Sequence, residues 1–247
     1  MRTLAPAKPP RWNVVLFLST LLAACGAPPG PAAVSPTPAT PALTPERPEV
    51  AFVDLPARLD SGICTRVLLT LIQGDLAVMD EKLAPGDSVV ITHAAAQPIE
   101  GSGLALVARA RIPGCAPKAR PSPEKQVIRA ASAPALRWAQ GAMEAHLDTP
   151  REASPELYSG RLAGTAPVAE HHHEGSWEIL AAVEASGTFT LDGQEQRLGP
   201  KQIVFIPPGA RHSWKPDTGA KLVAVQMYAP PGPEQRFVAL AQKEAPR

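Results

Sequence analysis

The chain holds six histidines in 247 residues, and four of them fall in two short stretches. "EHHHEGSWE", residues 170–178, carries His171, His172 and His173 in succession, and "PPGARH", residues 207–212, ends on His212. Neutral imidazoles joined by a carboxylate are a good ligand set for a first-row divalent cation. Direction decides which of them can serve. Residues of a strand point alternately to opposite faces, so His171 and His173 share a face and His172 looks the other way. Glu178 follows a break at Gly175 and Ser176 and opens the next apolar run, from which it can return to the same interior. Glu174 stands too near His173 and faces away. Pro207, Pro208 and Gly209 force a tight turn after "QIVFI", and His212 opens the next strand. A barrel closing on itself would bring His212 beside His171, His173 and Glu178. On an octahedral ion these four would leave two positions for water, substrate or oxygen. The alternative is that the histidine run is an exposed polar loop.

The elements that must position these residues are short apolar runs broken by Gly, Pro and Asp. "RVLLTLI", "LAVMD", "SVVIT" and "LALVARARI" precede residue 113; "EILAAVEA", "TFTLDG", "QIVFIP" and "LVAVQMY" follow residue 177. This pattern predicts an all-β sandwich or barrel. Order is expected from "VAFVDL" at Val50, with a linker at "PSPEKQ", a short helix over Ser132 to Glu144, and a helix in the tail "PEQRFVALAQKE". The two halves also align with each other. With Leu83 laid on Leu198, Pro85 meets Pro200, Val89 meets Val204 and Ile91 meets Ile206, which suggests a duplicated unit.

From His171 to Trp214 the sequence resembles a cupin domain. His171, His173 and Glu178 match the first cupin motif, H-x-H, a four-residue spacer and E; Gly187 comes later than that motif expects. Pro207, Gly209 and His212 match the second, P-x-G-x-x-H, after Gly199; the asparagine that often follows is absent. The resemblance implies a jelly-roll barrel and a divalent cation held by His171, His173, Glu178 and His212. In the first half, the places of the ligands fall near Arg58, Asp60, Thr65 and Gln97, with His93 the one imidazole nearby. That half is therefore read as a metal-free cupin-like domain over residues 50–117, packed sheet against sheet on a metal-binding domain over residues 118–247, as in bicupins. Tyr158, Arg161 and Trp214 are candidates for the cavity wall; the plainer reading puts Tyr158 and Trp214 in the core and Arg161 on the surface.

The N-terminus reads as an address. Arg2, Lys8 and Arg11 precede "VVLFLSTLLAA", a run too short to span a bilayer, and the pair forms a signal-peptide pattern. "LAAC" resembles a bacterial lipobox, which implies lipidation of Cys25, a lipid-anchored envelope protein and, with Gly26 next, outer-membrane sorting; the alternative is an ordinary secretory signal. Residues 26–49, rich in Pro, Ala, Ser and Thr, are expected to be a disordered tether. The chain has 30 prolines, more than twice the usual level of about 5%, and many lie here. In an oxidising compartment Cys64 and Cys115 can form a disulfide; two buried free thiols are the other reading. The net charge of +1 argues against nucleic acid as a partner. The donor set does not choose among iron, manganese, zinc, nickel and copper. Two functions follow: a metal-dependent enzyme acting on a small molecule, or a non-catalytic envelope lipoprotein that binds a small ligand or serves as a scaffold. A homodimer is compatible with either.

Overall fold

The computed structural model describes residues 45–59, 62–93, 97–116 and 123–244. The expected signal peptide, Cys25 and the expected tether up to residue 44 lie outside the described residues. The first half contributes β1 (Glu49–Leu59), β2 (Thr65–Val78), β3 (Glu81–Leu83), β4 (Ser88–Thr92), β5 (Gln97–Arg111) and β6 (Glu124–Ile128). They make one antiparallel sheet in the order β1-β5-β2-β4-β6, with β3 on the end of β2. The ladder of the long strands β2 and β5 shifts register between Leu71 and Gln73. Just past the shift Gly74 lies opposite Gly103, and a Cβ on either would sit 2.0 or 2.1 Å from a carbonyl oxygen of the facing strand. Only glycine permits that approach, and both have positive φ. A disulfide joins Cys64, just before β2, to Cys115, after β5, with Cα atoms 5.5 Å apart.

The second half contributes β7 (Ala135–Trp138), β8 (Met143–His146), β9 (Tyr158–Gly164), β10 (Val168–His171), β11 (Trp177–Glu184), β12 (Gly187–Leu191), β13 (Gln194–Leu198), β14 (Ile203–Ile206), β15 (His212–Pro216), β16 (Leu222–Ala229) and the helix α1 (Gln235–Glu244). Its strands form two sheets, β10-β15-β12-β13 and β14-β11-β16-β9-β8-β7, a jelly-roll arrangement. Period-two alternation sorts the larger sheet's side chains. Leu180, Ala182, Ala224 and Tyr228 face the barrel interior with Phe189, Trp214 and Phe237. Ile179, Ala181, Val225 and Met227 face outward, where they pack on Leu68, Val90, Leu106 and Ala108 of the first sheet. The strand "SVVIT" is buried on both faces because Val90 joins this shared core while Val89 and Ile91 join the first half's own.

The halves repeat one network of pairings. The start of β2 pairs with β4 and the end of β5, as β11 pairs with β14 and β16. The end of β2 pairs with β3 and the start of β5, as β12 pairs with β13 and β15. Strand β1, with a register shift between Leu55 and Ala57, corresponds to β9 and β10 together.

Three expectations change. Residues 132–144 do not form a helix: a 3₁₀ turn at Ala130–Ser132 leads into the β7–β8 hairpin, which turns through positive φ at Ala139, Gln140 and Gly141. Pairing of β8 to β9 overrides local preference there. Glu124, Lys125 and Gln126, read as linker, belong to β6, which pairs along β4; residues 117–122 lie outside the described residues. Order also begins before Val50, since the Trp177 indole donates to the Pro45 carbonyl (2.8 Å) and the Arg47 guanidinium lies over the Phe205 ring.

Candidate metal centre

The turn Pro207–Ala210 is closed by the Ala210 N–H donating to the Pro207 carbonyl. Proline at its second position and Gly209 at its third, with φ of +81°, suit a type II turn. The Gly209 N–H then donates to the His173 carbonyl at 2.8 Å, tying this turn to the histidine run. In the β10–β15 ladder His171 stands directly opposite His212, and their ring centroids are 4.1 Å apart. Glu178, on β11 opposite Ile206 and Tyr228, enters the same interior.

The four residues thus converge: His171, His173, Glu178 and His212 each offer a ligand atom, all within 4.8 Å of one another. Glu178 and His212 are each 3% exposed, while His171 and His173 are partly exposed and mark the side open to solvent. His172 is exposed and turns to the Glu174 carboxylate at 2.9 Å, although β10 ends at His171 and does not continue through the histidine run as expected.

The tautomers follow from the partners. His171 Nδ1 faces the Ala169 carbonyl at 2.8 Å and His212 Nδ1 faces the Ala210 carbonyl at 3.0 Å. A carbonyl only accepts, so each Nδ1 carries the proton and each neutral ring presents a bare Nε2. Glu178 Oε2 lies 3.0 Å from both His173 Nε2 and His212 Nε2. Yet the three Nε2 atoms and Oε2 are all buried without a hydrogen bond of acceptable direction. Buried polar atoms are rarely left so, and donor atoms converging at this separation are a set that a cation would fill. Burial first, then the charge of Arg236, push His171 down to about 4, so its ring is in the neutral, ligating form at neutral pH.

Two residues of the site escape a reading of motifs. Gln226 is 2% exposed, and its amide donates to Glu178 Oε1 and to the Tyr228 hydroxyl (2.8 Å). It thereby fixes which carboxylate oxygen is left for the cluster. Tyr228 is fully buried, edge-on to His173 at 5.4 Å, and burial followed by the Glu178 charge raises its hydroxyl pKa, keeping it protonated. The signal was present in "LVAVQMY": Gln226 and Tyr228 share the parity of the inward Leu222 and Ala224. Of the wall candidates, Tyr158 and Trp214 are core residues, Trp214 pressed against Gly187. Arg161 has outward parity and forks onto Asp148 at 2.8–3.1 Å.

The first half carries no such cluster among the described residues. The strand pairing also moves two of the corresponding positions. Leu59 faces Gln97 as His171 faces His212, and Val67 faces Ile91 as Glu178 faces Ile206. The places are therefore Leu59 and Val67, not Arg58 and Thr65, because a fixed sequence offset cannot count the bulges. The place of His173 near Asp60 lies outside the described residues. Leu59 and Val67 are 1% and 0% exposed in an apolar cluster, and His93 bonds to the Ile63 carbonyl instead.

Fold and site together define a cupin-type β-barrel. Residues 161–228 match the family described as Cupin domain, a span that contains all four clustered residues. No curated protein matches the sequence. Among solved structures the chain is similar to an IolB-like protein from Salmonella typhimurium, at 13% identity and TM-score 0.59, covering 75% of this chain and 84% of that one. It is similar to oxalate decarboxylase from Bacillus subtilis, at 13% identity and TM-score 0.53, covering 73% and 68%. It is similar also to AerE from Microcystis aeruginosa, at 11% identity and TM-score 0.53, covering 74% and 86%. At these identities the likeness is one of fold. Its reach exceeds the second half, which is only about half of the chain, so the first half shares in it.

Proposed function

We propose that the protein is a lipid-anchored envelope protein of bicupin type whose second half binds one divalent cation and, through it, a small molecule. The observation that carries this reading is the set of four donor atoms, within 4.8 Å of one another and buried without hydrogen bonds. His171, His173 and His212 would supply neutral imidazoles and Glu178 one carboxylate oxygen. A bound cation would act as a Lewis acid toward the oxygen atoms of a ligand. Gln226 positions Glu178, His171 and His212 are held in the ligating tautomer by their own backbone, and Tyr228 keeps its proton at neutral pH. The repeated pairing network supports descent of both halves from one unit. On that view Leu59 and Val67 replaced ligands in the first half, which now serves as a scaffold packed on the second.

A non-catalytic role for the site is the second reading. It is favoured by the makeup of the cluster, in which all four groups offer ligand atoms and none is set apart as an acid or base. Elemental analysis of the purified protein distinguishes metal binding from its absence: about one metal per chain is expected, and substoichiometric content after loading with each first-row ion would refute the reading. With metal bound, turnover of a small-molecule panel separates the enzyme from the binding protein.

A further inference from the structure

The two halves leave a cleft of about 290 Å³ between them. Ile72 and Gly86 of the first half and Ala163, Val183, Val223 and Val225 of the second line it, so its walls are largely apolar. Ile72 and Val183 hold matching places in the two halves. Each is the extra residue at a register shift, of β2 on β5 and of β11 on β16. Such bulges re-aim side chains, and these two line one space. The volume stands near the lower end of the roughly 300–1,000 Å³ of small-molecule pockets. The titratable lining is Glu144 and His146 of β8 and Arg161 of β9, with His146 directly opposite Arg161 in the ladder.

Hydrogen bonds leave one donor in this lining unused. Arg161 Nε and Nη2 are held by Asp148 at 2.8–3.1 Å, and Nη2 also donates to the Ala130 carbonyl at 2.7 Å. Nη1 has no partner among the described residues. It lies 3.6 Å from the position a Cβ would take on Gly86, at the cleft wall, on a guanidinium whose plane Asp148 already fixes. The Arg161 side chain is 30% exposed, so a ligand can reach it from solvent. His146 Nδ1 faces the Ala133 carbonyl at 3.0 Å and its Nε2 faces the Glu144 carboxylate at 2.8 Å. Both partners only accept, so in this arrangement the ring donates from both nitrogens and is positively charged. Glu144 is paired in addition with Arg137 at 2.7 Å. Arg137, His146 and Arg161 thus share two carboxylates, Glu144 and Asp148, and one positive charge is left over. A single free nitrogen and a single surplus charge suit one carboxylate, joined by a charge-assisted hydrogen bond; a doubly charged phosphate exceeds what is there. The geometry points to a binding site in this cleft for a small monocarboxylate with an apolar body, its carboxylate on Arg161 Nη1 and its body against Ile72, Val183 and Val223.

The test is calorimetric titration of hexanoate into the full chain at about pH 6, where hexanoate is ionised and an ordinary imidazole is mostly charged. Hexanol controls for the charge and acetate for the chain. Hexanoate should fill one saturable site per protein chain. Hexanol should bind at least about tenfold more weakly for want of the charge-assisted hydrogen bond, and acetate likewise for want of apolar area. Val183→Trp fills the cleft and should abolish hexanoate binding. Arg161→Lys keeps a cation for Asp148 but loses Nη1, and should weaken hexanoate about tenfold. Thermal unfolding establishes that each variant folds; should Val183→Trp not fold, Arg161→Lys carries the test. No saturable binding of hexanoate, hexanol or acetate binding as tightly, or parental affinity in either folded variant would overturn the inference. None of the four clustered residues lines the cleft, so the result is independent of the metal reading.

Discussion

At the scale of single residues the cluster is an arrangement of lone pairs. His171 and His212 give their Nδ1 protons to backbone carbonyls two residues earlier, so local geometry alone decides that Nε2 faces inward. Gln226 does the same for Glu178 by occupying Oε1. Replacing Gln226 with Leu should therefore weaken metal affinity by roughly ten- to a hundredfold, the usual effect of removing an outer partner of a metal ligand. A chelator-competition titration reads this directly; affinity equal to the parent would show that the Gln226–Glu178 bond does not orient the ligand. The four clustered residues were legible in the sequence because two strand-parity arguments and one turn motif sufficed. Gln226 and Tyr228 carry no motif, and only their parity on a strand whose neighbours were unknown could have singled them out.

At the scale of elements, β11 and β16 organise the second half, with one face lining the barrel and the other packed on the first sheet. The β strands were readable from alternating apolar runs. The hairpin at residues 135–146 was not, because its sequence suits a helix and only pairing with β9 makes it a strand. A second link between the halves is Asp87, 6% exposed at the entrance to β4. Its carboxylate accepts from the Ala84 N–H (3.1 Å), the Ala130 N–H (2.9 Å) and Arg129 (2.9 Å). Burial opposes its charge most, but these donors together hold its pKa below the ordinary value. A folded-state pKa below the unfolded one means stability that is fully present above the unfolded pKa of about 4 and is lost as pH falls through the folded value. Asp87→Asn should thus lower stability at pH 7 by about 1–3 kcal/mol and flatten its loss between about pH 5 and 3. Denaturant titrations across that range check it; parallel pH profiles for variant and parent would remove Asp87 from the account.

At the scale of the whole molecule, two halves with one pairing network differ in what fills corresponding positions: Leu59 and Val67 on one side, His171 and Glu178 on the other. The repeated strand pattern was legible in the sequence as an ordered series of matches. Its register was off by one or two residues because bulges in β1 and β2 leave no mark in a sequence offset. The proposed anchor predicts that labelled palmitate is incorporated into the full chain in a bacterial host and that Cys25→Ser abolishes it; labelling that survives the substitution would move the lipid elsewhere or dismiss it. The central claim, that imidazoles from two distant segments serve one cation, has a simpler test. Metal content is compared by elemental analysis in the parent, in His171→Ala/His173→Ala, in His212→Ala and in His172→Ala. The account predicts about one metal per chain in the parent and in His172→Ala, and loss from the other two. Equal metal in all four, or equal loss from His172→Ala, would contradict it.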